Sequence, residues 1–449
     1  MASIRSVLIT QAQHPELFFL IHSLTKHLLG AALPSLTFQT ISRARNTPIL
    51  AIHAARVRAL RISKDEDVHL LTNLPIKTCV FPRLLSLSWM RTNAKGLHLF
   101  LSPTLRHCFL STLHPGLRSI GTRCAVLEEL SLCLEDPPWA PTAPATHALL
   151  FDAVRSCKKL VKLSCAPLTS VAWKYLSNLH TLLSVEIQGL SCQLDQDNLK
   201  FAPFLNITAL EFSVDMAEYV ITLVQQSEFP SLKKFSFALQ SEALSWAEVE
   251  QLFCALSRCK ACQTLEYIGI YSHPPAIQDH SVDTFTAIRR LFCFRQLQTL
   301  HVSIRSSVCL DNDLLLEAMS SWPHIRCLEL RDRHLPRQPA VTFRGLFAAL
   351  RLCPQLDTLQ LPIDTVNIDI NPEAESFQHP SLLTLCICCS SVAHAEVVAR
   401  IIFFMLPSVV GIAYPGGHVQ ESQLLAYRAT SSHLTFFRSS AVFRRNITG

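Results

Sequence analysis

Residues 127–132 read Leu127-Glu128-Glu129-Leu130-Ser131-Leu132, and their spacing returns at Leu297-Gln298-Thr299-Leu300-His301-Val302, Ile325-Arg326-Cys327-Leu328-Glu329-Leu330 and Leu356-Asp357-Thr358-Leu359-Gln360-Leu361. The pattern is apolar, two variable, apolar, one variable, apolar. Its last two apolar residues are two apart, the period of a strand with one buried face. Looser copies fill the intervals. They are Val57/Leu60/Ile62, Leu84/Leu87/Trp89, Leu105/Cys108/Leu110, Leu160/Leu163/Cys165, Leu182/Val185/Ile187 and Ile207/Leu210/Phe212. Further along come Leu232/Phe235/Phe237, Cys262/Leu265/Tyr267, Leu382/Leu385/Ile387 and Val409/Ile412/Tyr414. The fourteen starts from Val57 to Val409 have a mean interval of about 27 residues.

Leucine is common here, so a second regularity matters. The position three before each start is restricted. It is Cys124, Cys157, Cys259 and Cys353 in four copies, Phe81, Phe204, Phe229 and Phe294 in four more, and Trp322 in another. Proline often follows it, as Pro82, Pro230, Pro323, Pro354, Pro380 and Pro407. Proline ends a helix and favours extended backbone, which suits the entry to a strand.

Between the expected strands, apolar residues recur at spacings of three and four. Ala247–Leu256, Leu314–Met319 and Ala395–Ile402 show it best, and each predicts a helix with one apolar face. Ser245 and Asn312 are cap-capable residues ahead of two of them. One strand and one helix per unit predict an α/β solenoid of about fourteen irregular repeats. Helices are wider than strands, so the parallel sheet should lie on the concave side and the helices on the convex side.

The interval falls in the range of roughly 20–29 residues known for leucine-rich repeats. The chain resembles the fungal leucine-rich repeat proteins that carry an N-terminal F-box. The repeat resemblance covers residues 54–415. Pro15, Glu16, Leu17, Leu20, Ile21 and Leu24 resemble the first helix of an F-box, within a partial F-box-like segment over about 14–33. The resemblance implies that this segment binds the linker subunit of a cullin ubiquitin ligase while the repeats hold a protein substrate. It divides the chain into an N-terminal helical cap (1–53), the repeat array (54–415) and a C-terminal cap or flexible tail (416–449). The alternative is a scaffold with no ligase link, in which the first helix only covers the open apolar end of the array.

Composition narrows the function classes. Hydrophobic residues make up 49% and charged residues 16%, the opposite of a disordered chain. A net charge of +6 over 449 residues, without a dense Lys/Arg run, gives no reason to expect nucleic acid. The apolar run Val7-Leu8-Ile9 is too short for a secretory signal. The run from Ile401 to Tyr414 is cut by Pro407 and falls short of a bilayer span. Seventeen cysteines, an odd number, read as reduced thiols in the cytoplasm or nucleus. Eleven glycines leave little for phosphate-cradling loops, and no catalytic motif occurs, so no cofactor is expected and an enzyme within a repeat shell is the least favoured reading.

Two cysteine groupings invite chemistry. Cys259-Lys260-Ala261-Cys262 is a CxxC, but Cys259 fills the recurring pre-strand slot and Cys262 should begin a strand, so core packing is expected. Cys386 and Cys388 should share the concave face, where two thiols are half a zinc site. No Cys/His pair at standard spacing completes it, so no metal site is expected.

The residue between the last two apolar positions should face the concave side. These residues read Arg61, Ser88, Phe109, Ser131, Ser164, Glu186, Glu211, Ser236, Glu266, His301, Glu329, Gln360, Cys386 and Ala413. Arg61, Glu186, Glu211, Glu266, His301 and Glu329, with Arg331 beyond, are the expected partner-binding residues. The four glutamates give the middle of that face an acidic cast suited to a basic partner segment.

Overall fold

A computed structural model describes residues 55–62, 79–90, 96–112, 117–132, 144–190, 194, 201–240, 244–272, 284–304, 310–332, 339–387, 390, 392–413 and 421–448. The F-box-like segment and Cys388 lie outside these residues. The chain divides into an N-terminal unit, Met1–Leu168, and a C-terminal unit, Thr169–Gly449.

The N-terminal unit contains β1 (Ala59–Ile62), β2 (Ser86–Trp89), β3 (His107–Leu110), β4 (Glu129–Leu132) and β5 (Lys162–Cys165), with helices α1 (Arg118–Arg123) and α2 (Pro144–Ser156). The strands pair in parallel and in chain order, which aligns Leu60, Leu87, Cys108, Leu130 and Leu163 in one row. From Leu87 onward this row is at most 2% exposed.

The C-terminal unit contains β6 (Ser184–Gly189), β7 (Ala209–Val214), β8 (Lys234–Leu239), β9 (Tyr267–Ser272), β10 (Thr299–Ile304), β11 (Cys327–Asp332), β12 (Thr358–Gln360), β13 (Thr384–Cys386) and β14 (Ile412–Ala413). Its helices are α3 (Ser170–Leu176), α4 (Ala217–Gln225), α5 (Trp246–Arg258), α6 (Thr284–Arg289), α7 (Asn312–Ser321), α8 (Phe343–Leu350), α9 (Ala395–Met405) and α10 (Glu421–Thr448). Again each strand pairs in parallel with the next, so Val185, Leu210, Phe235, Ile268, Leu300, Leu328, Leu359, Leu385 and Ile412 form one row. This is the leucine-rich-repeat-like α/β solenoid that the spacing predicts. Each fully buried leucine or phenylalanine in the row contributes about 1.5–3 kcal/mol.

One copy is placed differently. The sequence pattern suggests Cys262/Leu265/Tyr267, but His301 pairs with Gly269 and Leu300 with Ile268. The true copy is Leu265/Ile268/Ile270, all 0% exposed. A short 3-10 turn, Lys260–Gln263, supplies the three extra residues, so Cys262 lies in a turn and does not begin a strand.

The pre-strand slot has a physical role. Its carbonyl accepts a hydrogen bond from the amide of the first apolar residue, as in Phe81–Leu84, Cys124–Leu127, Phe294–Leu297, Trp322–Ile325 and Cys353–Leu356. The side chain is thereby turned inward. Phe204 and Phe229, from successive repeats, stack with ring centroids 4.9 Å apart. Trp322 Nε1 donates to the carbonyl of Leu291 at 3.0 Å. His379 fills the slot one repeat after Cys353 and sits 2.9 Å from its carbonyl through Nε2.

Helix starts also follow local chemistry. Ser245 caps α5 in a full capping box with Glu248, as its position suggests. Asp311, not Asn312, caps α7, accepting from Leu314 N at 2.8 Å. Asn312 reaches into the next repeat, where its side chain meets the amide of Thr342 at 2.9 Å. Gly345 leaves room for that contact, since a Cβ there would come within 1.9 Å of Asn312 Oδ1. At the far end, α10 buries Tyr427 and Leu434 at 2% and 0% exposure, and Tyr427 Oη donates to the carbonyl of Ser390 at 2.9 Å. No helix of the described residues is long and apolar enough to cross a membrane.

Candidate functional site

In the C-terminal unit the two faces of the sheet differ. A small apolar cavity is lined by Leu300 and Val302 of β10, Leu328 and Leu330 of β11, and by Trp246, Phe253, Ile288, Leu315 and Ala318 from helices α5, α6 and α7. The helices therefore lie on the leucine face. The cavity's 10 Å³ is at the lower edge of what a single water needs, and its apolar lining offers that water no hydrogen-bond partner. The alternate residues point the other way, and the chemistry is on that open face.

Alternation places Tyr267, Gly269 and Tyr271 of β9, Thr299, His301 and Ser303 of β10, and Cys327, Glu329 and Arg331 of β11 side by side. His301 Nδ1 lies 3.1 Å from Glu329 Oε2, and Arg331 Nη2 donates to the same oxygen at 3.0 Å. Cys327 Sγ sits 3.9 Å from His301 Nε2 and 3.8 Å from Glu329 Oε1. The hydroxyls of Tyr267 and Tyr271 are 2.9 Å apart. Their rings lie 5.6 and 6.5 Å from that of His301. Both lean over Gly269, where a Cβ would come within 2.9 Å of each tyrosine side chain. A side chain at this position would push the tyrosine rings aside. Lys234 of β8 continues the strip, with Nζ 5.5 Å from the Tyr267 ring centroid and 2.8 Å from Glu211 of β7.

The electrostatics follow from these contacts. The His301 hydrogen bond, aided by the charges of His301 and Arg331, holds the Glu329 carboxyl below its usual range against the opposing effect of burial. Burial pushes the Cys327 thiol up to about 12, and the charges of Glu329 and Asp357 add to it. Burial, then the hydrogen bond to Tyr267, raises Tyr271. A thiol with so high a pKa is protonated at neutral pH, unlike a nucleophilic one.

The expected partner-binding residues are distributed as follows. His301, Glu329 and Arg331 come together. Glu211 is on the same face two strands before β9, paired with Lys234, and Glu186 of β6 accepts from Gln188. Glu266 does not join the row: it precedes β9, pairs with Lys233 at 2.8 Å, and offers its backbone carbonyl to Gln298 and Thr299. The cause is the three-residue shift in β9, which puts Gly269 where Glu266 was expected. Arg61 belongs to the N-terminal unit, where its guanidinium contacts Met90 Sδ at 2.9 Å. The expected acidic cast is corrected too, since Glu211, Glu266 and Glu329 each have a basic partner. Gln360 and Cys386, expected on the open face, are buried at 6% and 4% exposure.

Sequence reasoning missed Tyr267, Tyr271 and Cys327 as members of this strip. The signal was present: Cys327 is two residues before Glu329, and correct register in β9 brings both tyrosines to the same face. In the CxxC, Cys259 packs into the core and Cys262 lies in the 3-10 turn. Cys259 caps the end of α5, its thiol donates to the carbonyl of Leu256 at 3.1 Å, and burial pushes it up to about 11.

No protein-family model and no curated protein matches the chain. Among solved structures it is similar to an internalin (inlF) from Listeria monocytogenes, with a TM-score of 0.44 and 13% identity over 89% of this chain and 95% of that one. It is also similar to a structural-genomics protein from Bacteroides fragilis, with a TM-score of 0.30 and 13% identity over 60% of this chain and 68% of that one. Neither similarity bears on what this chain binds.

Proposed function

We propose that the chain is a protein-interaction scaffold, and that its partner docks on the open sheet face of the C-terminal unit across β7–β11. One observation carries this reading. Lys234, Tyr267, Tyr271, His301, Glu329 and Arg331 form a continuous aromatic and charged strip on rigid strands, held by contacts among themselves and half open to solvent. Tyrosine and arginine are the residues that carry energy at protein interfaces, because each presents a large contact area with a polar tip. A prearranged strip loses little side-chain entropy on binding.

A finer reading makes the scaffold a substrate receptor of a cullin ubiquitin ligase in the cytoplasm or nucleus, with Pro15, Glu16, Leu17, Leu20, Ile21 and Leu24 contacting the linker subunit. Its support is the F-box resemblance of that segment. The other reading, a scaffold with no ligase link, rests on the open face alone.

Affinity purification with wild type and two variants tests both levels. Lys234→Glu with Arg331→Glu should reduce recovery of the repeat-bound partner by about tenfold or more, equivalent to roughly 1.4 kcal/mol. Equal recovery contradicts docking on this face. Leu17→Ala with Leu20→Ala should remove cullin and its linker subunit while leaving that partner. If cullin is recovered with neither protein, the ligase reading fails and the scaffold reading stands.

A further inference from the structure

Parallel pairing sets His301 directly opposite Glu329, and Thr299 opposite Cys327. Cys327 and Glu329 are two apart on β11, so both share the face on which His301 stands. One donor atom from each of the three lies within 4.8 Å of the other two. The thiol is the centre of this group, 3.9 Å from His301 Nε2 and 3.8 Å from Glu329 Oε1. These are weak hydrogen-bond distances. They are close to the edges of a coordination tetrahedron, since bonds of about 2.3 Å to sulfur and about 2.0–2.2 Å to nitrogen and oxygen space the ligand atoms roughly 3.3–3.6 Å apart.

The opposite ends of the same side chains are tied down. His301 Nδ1 faces Glu329 Oε2 at 3.1 Å, and Arg331 holds that oxygen at 3.0 Å. His301 therefore has Nδ1 beside the Glu329 carboxylate and Nε2 beside the Cys327 thiol, so a ring nitrogen stands next to each of the other two donors. The tyrosine rings beside His301 restrict its tilt. His301 and Glu329 side chains are 19% and 18% exposed, so an ion could enter from solvent and keep a position open.

We propose that His301, Cys327 and Glu329 bind one zinc-class divalent cation, with three protein ligands and a fourth position facing solvent. Thiolate and carboxylate together balance the two charges of the ion, and the thiol proton is released to solvent on binding. A thiolate with an imidazole favours zinc over magnesium or calcium, which prefer all-oxygen shells. The site is independent of whether a protein docks on this face.

Cobalt(II), a spectroscopic stand-in for zinc, tests the site on the untagged full chain under reducing conditions. Wild type should take up a single equivalent, with a thiolate-to-cobalt charge-transfer band that zinc displaces. Cys327→Ser should abolish that band. Glu329→Gln and His301→Asn should each weaken binding by at least roughly tenfold. Cys293→Ser, at an exposed thiol elsewhere, should change nothing. Circular dichroism and melting confirm that each variant folds. Absence of the band in wild type, or its survival in folded Cys327→Ser, overturns the proposal. Should Cys327→Ser not fold, unchanged affinity in folded Glu329→Gln overturns it equally.

Discussion

The two units are built on the same apolar ladder and carry different chemistry on its open side. In the N-terminal unit the residues between the last two apolar positions of β2–β5 are Ser88, Phe109, Ser131 and Ser164, none of them charged. In the C-terminal unit the equivalent residues of β6–β11 are Glu186, Glu211, Ser236, Gly269, His301 and Glu329. The strands differ as well, with four residues each in β1–β5 and six each in β6–β11. Two more residues per strand give each of β6–β11 one more outward position, and that is where Tyr271 and Arg331 stand. The inward row is fixed by burial and cannot vary without cost, whereas the outward row is free to encode recognition. Regularity in a repeat therefore reports the fold, and departure from it on the open face reports function.

The largest effect should fall on what the units share. Leu130→Ala in one row and Leu300→Ala in the other, at 1% and 0% exposure, should each cost about 2–5 kcal/mol of unfolding free energy in urea titrations. A loss below about 1 kcal/mol at either site would mean that the row is not the core it is taken to be.

Next comes the place where the units diverge. Gly269→Val should displace the two tyrosines, costing about 1–3 kcal/mol and changing the near-ultraviolet dichroism of tyrosine. Ser131→Val, at the equivalent open position of β4, should stay within about 0.5 kcal/mol. Equal costs would erase the distinction drawn between the two faces.

The pre-strand cysteines should respond alike in both units. Burial pushes Cys124 and Cys157 up to about 12 and about 11, and Cys353 and Cys259 up to about 12 and about 11. An unfolded thiol ionises near pH 8.5 while the folded ones stay protonated, so above that pH the folded state holds more protons. The stability these thiols contribute is complete below about pH 8.5 and is lost as pH rises toward 11–12. Melting temperatures recorded in reducing buffer should be flat up to that point and then fall. A flat profile to pH 11 would show that the thiols are not buried.

The smallest effect belongs to the flanking ion pairs. Lys233→Ala should cost no more than about 1 kcal/mol, because Lys233 and Glu266 are 59% and 39% exposed.

How far these differences were legible in the sequence depends on the row. Inward positions announce themselves by spacing, so the middle residue of thirteen of the fourteen apolar triplets falls in a strand. The exception fails for a local reason. Cys262 mimics an apolar start, and the 3-10 turn at 260–263 adds residues that no hydrophobic period marks. That single shift removed Glu266 from the open face and hid Tyr267 and Tyr271. Pairing partners were not legible either, since Lys233 and Lys234 reach glutamates from different repeats, 33 and 23 residues away. The cluster of His301, Cys327 and Glu329 spans 26 residues between thiol and imidazole, a separation matching no metal motif because it is set by the repeat length.

The account rests on the open face of the C-terminal unit being the recognition surface. Hydrogen exchange of the full chain, with and without a partner recovered by affinity purification, addresses this most directly. Protection on binding should fall on peptides covering 267–272, 299–304 and 327–332, with those covering 86–89, 107–110 and 129–132 unchanged. Protection confined to the helices, or to the N-terminal strands, would contradict it.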